Sequence, residues 1–536
     1  MTDLSGSGRS DRFAIRGDCC IEERIWGRRL YDEQSGVISL LELLCVFNAA
    51  PFPSGSPDAP SEASCRMHDY EIPKRSALRS LVFNNPYVDE GDAADPNAWE
   101  TWRSRFSQDK GTTALMGGEN WVASPERLEE LRACFPGRES FQDFRRVIHF
   151  LRASGINRDT NRRWTSQFIF PWGRSCLYAD LDNAGKPDRR FFARNGELLY
   201  LLLSHAQRRE ELGGLLREKL LDSGNPLDAL CRRLTLSSGE KDVCRVPGWS
   251  QTSHAGALPW DPEHGIDFVT SSLRRVNILC EDLIAALTLP IQTPDVILIA
   301  SRLISLNLLC YFLEQSSEAL RRFGAEPAGA PKYAFLCEAL QKRTSAVRRI
   351  SQNRFKANET RSLDAVRAFY ERYAEDGQAR AAEDDDRPSA AQDDDEEEGA
   401  SAASGSKPLS EVLDAHRCHW GAKLHRALAK DCGLASKLCA RDYRYAPSDD
   451  LLETLAATLL HDEKRLLFSE FLARAYERYG LAFAESECRA AGFSAEELDG
   501  AELKANERRL MRRLSALGLV AWLSDGFEFV LNPYRA

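Results

Sequence analysis

Residues 374–407 read AEDGQARAAEDDDRPSAAQDDDEEEGASAASGSK, with twelve acidic and three basic side chains. Such a run cannot bury enough apolar surface to offset the entropy lost on ordering, so the sequence predicts an acidic, disordered linker there. Whatever folds must then fold on either side of it. The run also holds a net charge of −9 out of −10 for the chain, which leaves −1 for everything else. A near-neutral remainder does not exclude a nucleic-acid partner, because binding needs a local basic patch and not a basic total.

A chain of 536 residues, 43% hydrophobic, can bury several cores. Punctuation by Pro, Gly and Ser divides it into a mixed helical region with short strands over 1–195, a helical domain over 196–373, the linker at 374–407, and a C-terminal domain over 408–536. The expected fold class is mainly α and multidomain, with a small β element near 165–192. There, Phe168-Ile169-Phe170 and Cys176 to Leu181 can pair around a DNAGKP turn. Helices are expected at SLLELLCVF before residue 49, at 124–135, at 140–155, and almost continuously from 270 to 374.

Fifteen cysteines without regular spacing, behind an N-terminus lacking a secretory pattern, point to reduced thiols in a cytoplasmic protein. Residues 296–313, VILIASRLISLNLLCYFL, are apolar enough to raise the question of a membrane. Arg302 and Asn307 interrupt them, and Thr293-Pro294-Asp295 is a strong helix start, so a buried core helix and no membrane contact are expected.

After the linker, 408–433 reads as one helix ending at Gly433. Pro447-Ser448-Asp449 starts another, and Gly480 stops a third. The segment ESECRAAGFSAEELDG suggests a short helix and a turn. A helix follows over about 501–517. At 100° per residue its Leu503, Leu510, Leu514 and Leu517 share one face, while Arg508, Arg509 and Arg512 lie opposite and Arg513 lies at the flank. Gly518 ends it, and two apolar runs joined at Ser524-Asp525-Gly526 form a hairpin.

The order helix, short helix, basic helix and hairpin over about 450–534 resembles the winged helix-turn-helix superfamily. The resemblance implies a C-terminal α+β module whose third helix enters the major groove of double-stranded DNA, with the hairpin as wing. It would place Lys504, Arg508, Arg509, Arg512 and Arg513 near the DNA. The wing strands carry Asp525 and Glu528 and no basic residue between Ser524 and Asn532, which disfavours a wing that touches phosphate.

Other constellations compete. His416, Cys418, His419 and His425 are metal-ligand types, but their spacing lacks paired zinc arms, so no metal is expected. Asp180 and Asp182, with Glu197 or Lys186, offer a metal-dependent nuclease as an alternative. Asp261, Glu263, His264 and Asp267 read as loop polars. No phosphate-binding loop, GxGxxG, GxSxG or HExxH occurs, and no cofactor is expected. The favoured function is a non-catalytic DNA-binding or scaffold subunit of a bacterial-type, multi-protein DNA-transacting system, with anti-phage or genome defence as one setting. The remaining alternative is a protein-interaction adaptor that docks partners through the winged helix.

Overall fold

A computed structural model describes residues 21–27, 30, 34–53, 70–73, 173–177, 195–222, 224–235, 243–246, 268–323, 333–339, 345–385, 409–419, 421–438, 441–493, 498–522 and 527–535. They are predominantly helical with a few short strands. The expected helices at 124–135 and 140–155, the DNAGKP turn, Asp180, Asp182, Lys186 and the 261–267 loop lie outside the described residues.

The elements, in chain order, are α1 (Ile21–Trp26), α2 (Gly36–Ala49), β1 (Tyr70–Pro73), α3 (Asn195–Leu203), α4 (Arg209–Leu215), α5 (Pro226–Thr235), β2 (Val243–Val246), α6 (Phe268–Leu287) and α7 (Thr293–Arg322). They continue with β3 (Phe335–Leu336), α8 (Ala346–Asp385), α9 (Leu409–His419), α10 (Gly421–Asp431), β4 (Ala435–Ser436) and β5 (Arg444–Tyr445). The last are α11 (Asp449–Leu459), β6 (Arg465–Leu467), α12 (Phe468–Tyr479), β7 (Leu481–Ala482), α13 (Glu485–Ala490), α14 (Gly500–Ala516), β8 (Val520–Trp522) and β9 (Glu528–Leu531). The chain divides into two compact units. One comprises Glu33–Gly248 and Cys280–Ser301; the other comprises Met1–Asp32, Trp249–Leu279 and Arg302–Ala536.

In the first unit, α2 packs against the start of α3. The backbone N–H of Asn195 donates to Gln34 Oε1 at 2.8 Å and that of Gly196 to Glu42 Oε2 at 2.8 Å. These bonds satisfy donors that a helix N-terminus leaves without an internal partner. Gly196 is needed there, since a Cβ would collide with the Glu42 side chain and the Leu43 backbone. Phe52 stacks on Tyr200 and meets the Phe47 ring at a tilt. The described strands of this unit are β1 and β2, paired antiparallel with Tyr70 opposite Val246. Of the expected strands Phe168–Phe170 and Cys176 to Leu181, residues 168–170 and 178–181 lie outside the described residues, and Cys176 instead ends a turn of 3-10 helix, Arg174–Cys176. It is held by Asp228, whose Oδ1 accepts from Ser175 N at 2.7 Å, and by Arg174 donating to Asp222 and Asn48.

In the second unit, Trp26 Nε1 donates to Phe312 O and Ser316 Oγ, and its ring stacks on His416. A second buried network joins Arg275 to Glu314, Asn307 and the Tyr333 hydroxyl. The two-residue strands β3 and β7 pair in parallel, Phe335 opposite Leu481. Beneath them lies a core of Leu336, Val347, Ile350, Ala482, Cys488, Phe493 and Leu503. Chain before and after the acidic run therefore shares one core.

Several expectations change in detail. Helix α8 continues to Asp385, past the start of the acidic run at Ala374. Of the single helix expected over 408–433, the described parts are α9 and α10, and residue 420 between them lies outside the described residues. Gly433 does close the second, at φ +81°, and its lack of a side chain admits the Ser448 hydroxyl. Ser448 then caps α11, accepting from Leu451 N. Helix α7 starts at Thr293 and is long and apolar enough to cross a membrane, but 89% of its most apolar window is buried within the protein.

Candidate nucleic-acid interface

Helix α14 runs Gly500–Ala516, one residue offset from the expected span. Asp499 caps its start by accepting from Ala501 N at 2.9 Å. Gly518, at φ +73°, ends it: Gly518 N donates to Ser515 O and Leu519 N to Leu514 O, the paired bonds of a Schellman motif. Because the helix stops at Ala516, Leu517 leaves the apolar face and is 37% exposed, which corrects its expected place beside Leu514.

The inner face is Leu503, Asn506, Leu510, Met511 and Leu514, all buried. Asn506 was not singled out by sequence reasoning, yet it locks the helix in place. Its Nδ2 donates to Cys337 O at 3.0 Å and Phe483 O at 2.9 Å, and its Oδ1 accepts from Ala339 N at 2.7 Å. An amide side chain in the leucine register, one turn before Leu510, was the available signal. On one flank, Glu502 Oε2 accepts from Ala346 N at 2.7 Å and so caps α8. On the same flank Arg513 donates to Asp449 Oδ1 at 2.5 Å and to Pro447 O at 2.9 Å. Arg513 is thereby engaged in holding α14 to α11.

The outer face presents Lys504, Arg508, Arg509 and Arg512, all exposed. None of the four forms an ion pair with a described carboxylate. This differs from Arg302, Arg426, Arg474 and Arg489 of the same unit, paired with Asp450, Glu359, Glu463 and Glu485. Three arginines and a lysine on one helical face, with no described carboxylate in ion-pair contact, repel one another and favour an anion.

On the other flank stands the three-stranded sheet β6-β9-β8, antiparallel, with Leu466 opposite Val530 and Val520 also opposite Val530. The Ser524-Asp525-Gly526 turn lies outside the described residues. Trp522 and Phe527, which bracket that turn, are 58% and 55% exposed. Glu507 of α14 lies on this side. Burial, then the charges of Glu487 and Glu528, push its carboxyl pKa up against the opposing pull of Lys504 and Arg508.

The other candidate residues lie apart. His416 sits between Glu22 and Ser362, while His425 meets the Tyr445 hydroxyl at 2.8 Å. The Cys418 and His419 side chains lie outside the described residues. Glu197 is fully buried and accepts from the Tyr70 hydroxyl at 3.3 Å. Burial pushes the Cys280 and Cys488 thiols up to about 12, far from the range of a nucleophile at neutral pH. No family model, curated protein or solved structure matches the chain.

Proposed function

We propose that residues 449–531 form a winged helix-turn-helix module and that the outer face of α14 binds DNA. The order α11-β6-α12-α13-α14-β8-β9, with the last strand central in a three-stranded sheet, supports the module. The observation that carries the binding reading is the set Lys504, Arg508, Arg509 and Arg512, exposed and without an ionic partner among the described residues, on a helix whose other face is fixed. Arginine on such a face donates to phosphate, or bidentately to guanine. In this reading the protein is a non-catalytic DNA-binding or scaffold subunit of a multi-protein DNA-transacting assembly, with chemistry supplied by partners.

The test is fluorescence anisotropy of labelled duplex DNA against the full chain over a series of salt concentrations. Four phosphate contacts give a log–log salt slope near about −3.6, and Arg508→Ala, Arg509→Ala and Arg512→Ala together flatten it to about −1. Unchanged affinity and slope in that triple variant would sink the assignment.

A further inference from the structure

The hairpin beside α14 is ill suited to phosphate and well suited to a base. We infer that Trp522 and Glu528 hold an unpaired nucleobase, stacked on the indole, so that the ligand of the basic face is DNA with a single-stranded segment. The inference rests on the nucleic-acid reading of α14 and names its substrate class.

Trp522 and Glu528 are directly opposite each other across β8 and β9. Facing residues in an antiparallel pair emerge on the same side of the sheet, about 5 Å apart at Cβ. Their side is that of Val520, Val530 and Leu466, the last two of which are buried. The indole and the carboxylate therefore stand at the open end of the face whose closed end is core. An indole 58% exposed offers a flat apolar surface that any base face can cover. The neighbouring carboxylate accepts N–H groups from a base edge and has nothing to offer a phosphate.

The charges sort the parts of a nucleotide strand. Glu528 borders the indole across β8 and β9, and a carboxylate beside the stacking surface disfavours a phosphate there. Lys504, Arg508 and Arg512 recur every fourth residue, about 6 Å apart along the helix axis, and give the phosphates a separate track. In a duplex both faces of every internal base are covered by its neighbours, so stacking on Trp522 needs a base that is out of the helix. Arg465 lies over the Phe529 ring at 5.0 Å, on the face of the sheet opposite Trp522 and Glu528.

The experiment compares three labelled probes with the full-length protein: a blunt duplex, the same duplex with a cytidine overhang, and the same duplex with an abasic overhang. The abasic probe keeps the phosphates and removes the bases. The expected result is that the cytidine overhang binds about tenfold tighter than the abasic one. Trp522→Ala abolishes that preference and leaves the blunt duplex unchanged, while Trp522→Phe keeps most of it. Equal affinity of the parent for cytidine and abasic overhangs overturns the inference, as does a Trp522→Ala loss that is the same for all three probes. A Trp522→Ala protein that keeps the cytidine preference but changes its sedimentation mass also overturns it, and assigns the patch to protein contact. The α14 reading is judged separately: the triple arginine variant weakens all three probes alike if that reading holds and none of them if it fails.

Discussion

The inner side of α14 is Leu503, Asn506, Leu510 and Leu514, enclosed and hydrogen-bonded, whereas the outer side is Lys504, Arg508, Arg509 and Arg512, exposed and without ionic partners among the described residues. Arg512 and Arg513 mark the divide within two adjacent positions: one faces solvent and the other bonds Asp449 and Pro447. Arginine is thus used in this unit in two ways, to fasten elements together and to present charge. Substitutions that test fastening should register in stability, and those that test presentation should register only in binding.

The largest stability effect is expected at Arg444, buried with Glu338. Arg444→Ala strands a buried carboxylate and is expected to cost about 3–5 kcal/mol in urea unfolding of the full chain. If Arg444→Ala costs no more than Arg512→Ala, the division between fastening and presenting arginines collapses. Asn506→Ala comes next. It leaves Ala339 N, Cys337 O and Phe483 O unpaired in the core, at about 2–4 kcal/mol.

His425 supplies a pH-dependent measure of the same interior. Burial, then the Arg426 charge, lowers its imidazole pKa from 6.5 to about 3. The folded state therefore holds His425 neutral while the unfolded chain takes up a proton below pH 6.5. Stability from this residue is intact above 6.5 and falls as pH drops from there toward 3, by at most about 1.4 kcal/mol per pH unit. His425→Phe should remove that contribution from the acid slope; an identical slope in the variant would contradict it.

Arg513→Ala is expected to cost about 0.5–1 kcal/mol, because Asp449 is mostly exposed. Arg512→Ala should stay within about 0.5 kcal/mol of the parent in unfolding while weakening DNA binding. A stability loss at Arg512 equal to that at Arg513 would show that the outer face also fastens the fold.

Much of this region is legible in sequence because its signals are local. Ser448 as a cap, Gly480 and Gly518 as stops, and the leucine register of α14 each act within a turn or two of chain. That register alone separates Arg508, Arg509 and Arg512 from the core. What was not legible depends on distant partners. Asp449 claims Arg513 from outside its own helix. Asn506 finds carbonyls at Cys337 and Phe483 that no periodicity announces. Strands β3 and β7 have two residues each, too few for an alternation pattern. The 3-10 turn at Arg174–Cys176 follows from Asp228 reaching the Ser175 N–H, a tertiary bond.

The pairing of β3 with β7 also sets a schedule. During synthesis, Phe335 and Leu336 leave the ribosome long before Leu481 and Ala482 exist. At about 5–20 residues per second the wait is roughly 7–30 s. For that interval Phe335 N and Cys337 N lack the Gly480 and Ala482 carbonyls they bond in the finished protein, and Ala339 N lacks Asn506. The fold of this unit is therefore completed by its later elements, and a nascent chain halted before β7 would leave an apolar strand edge open to chaperones.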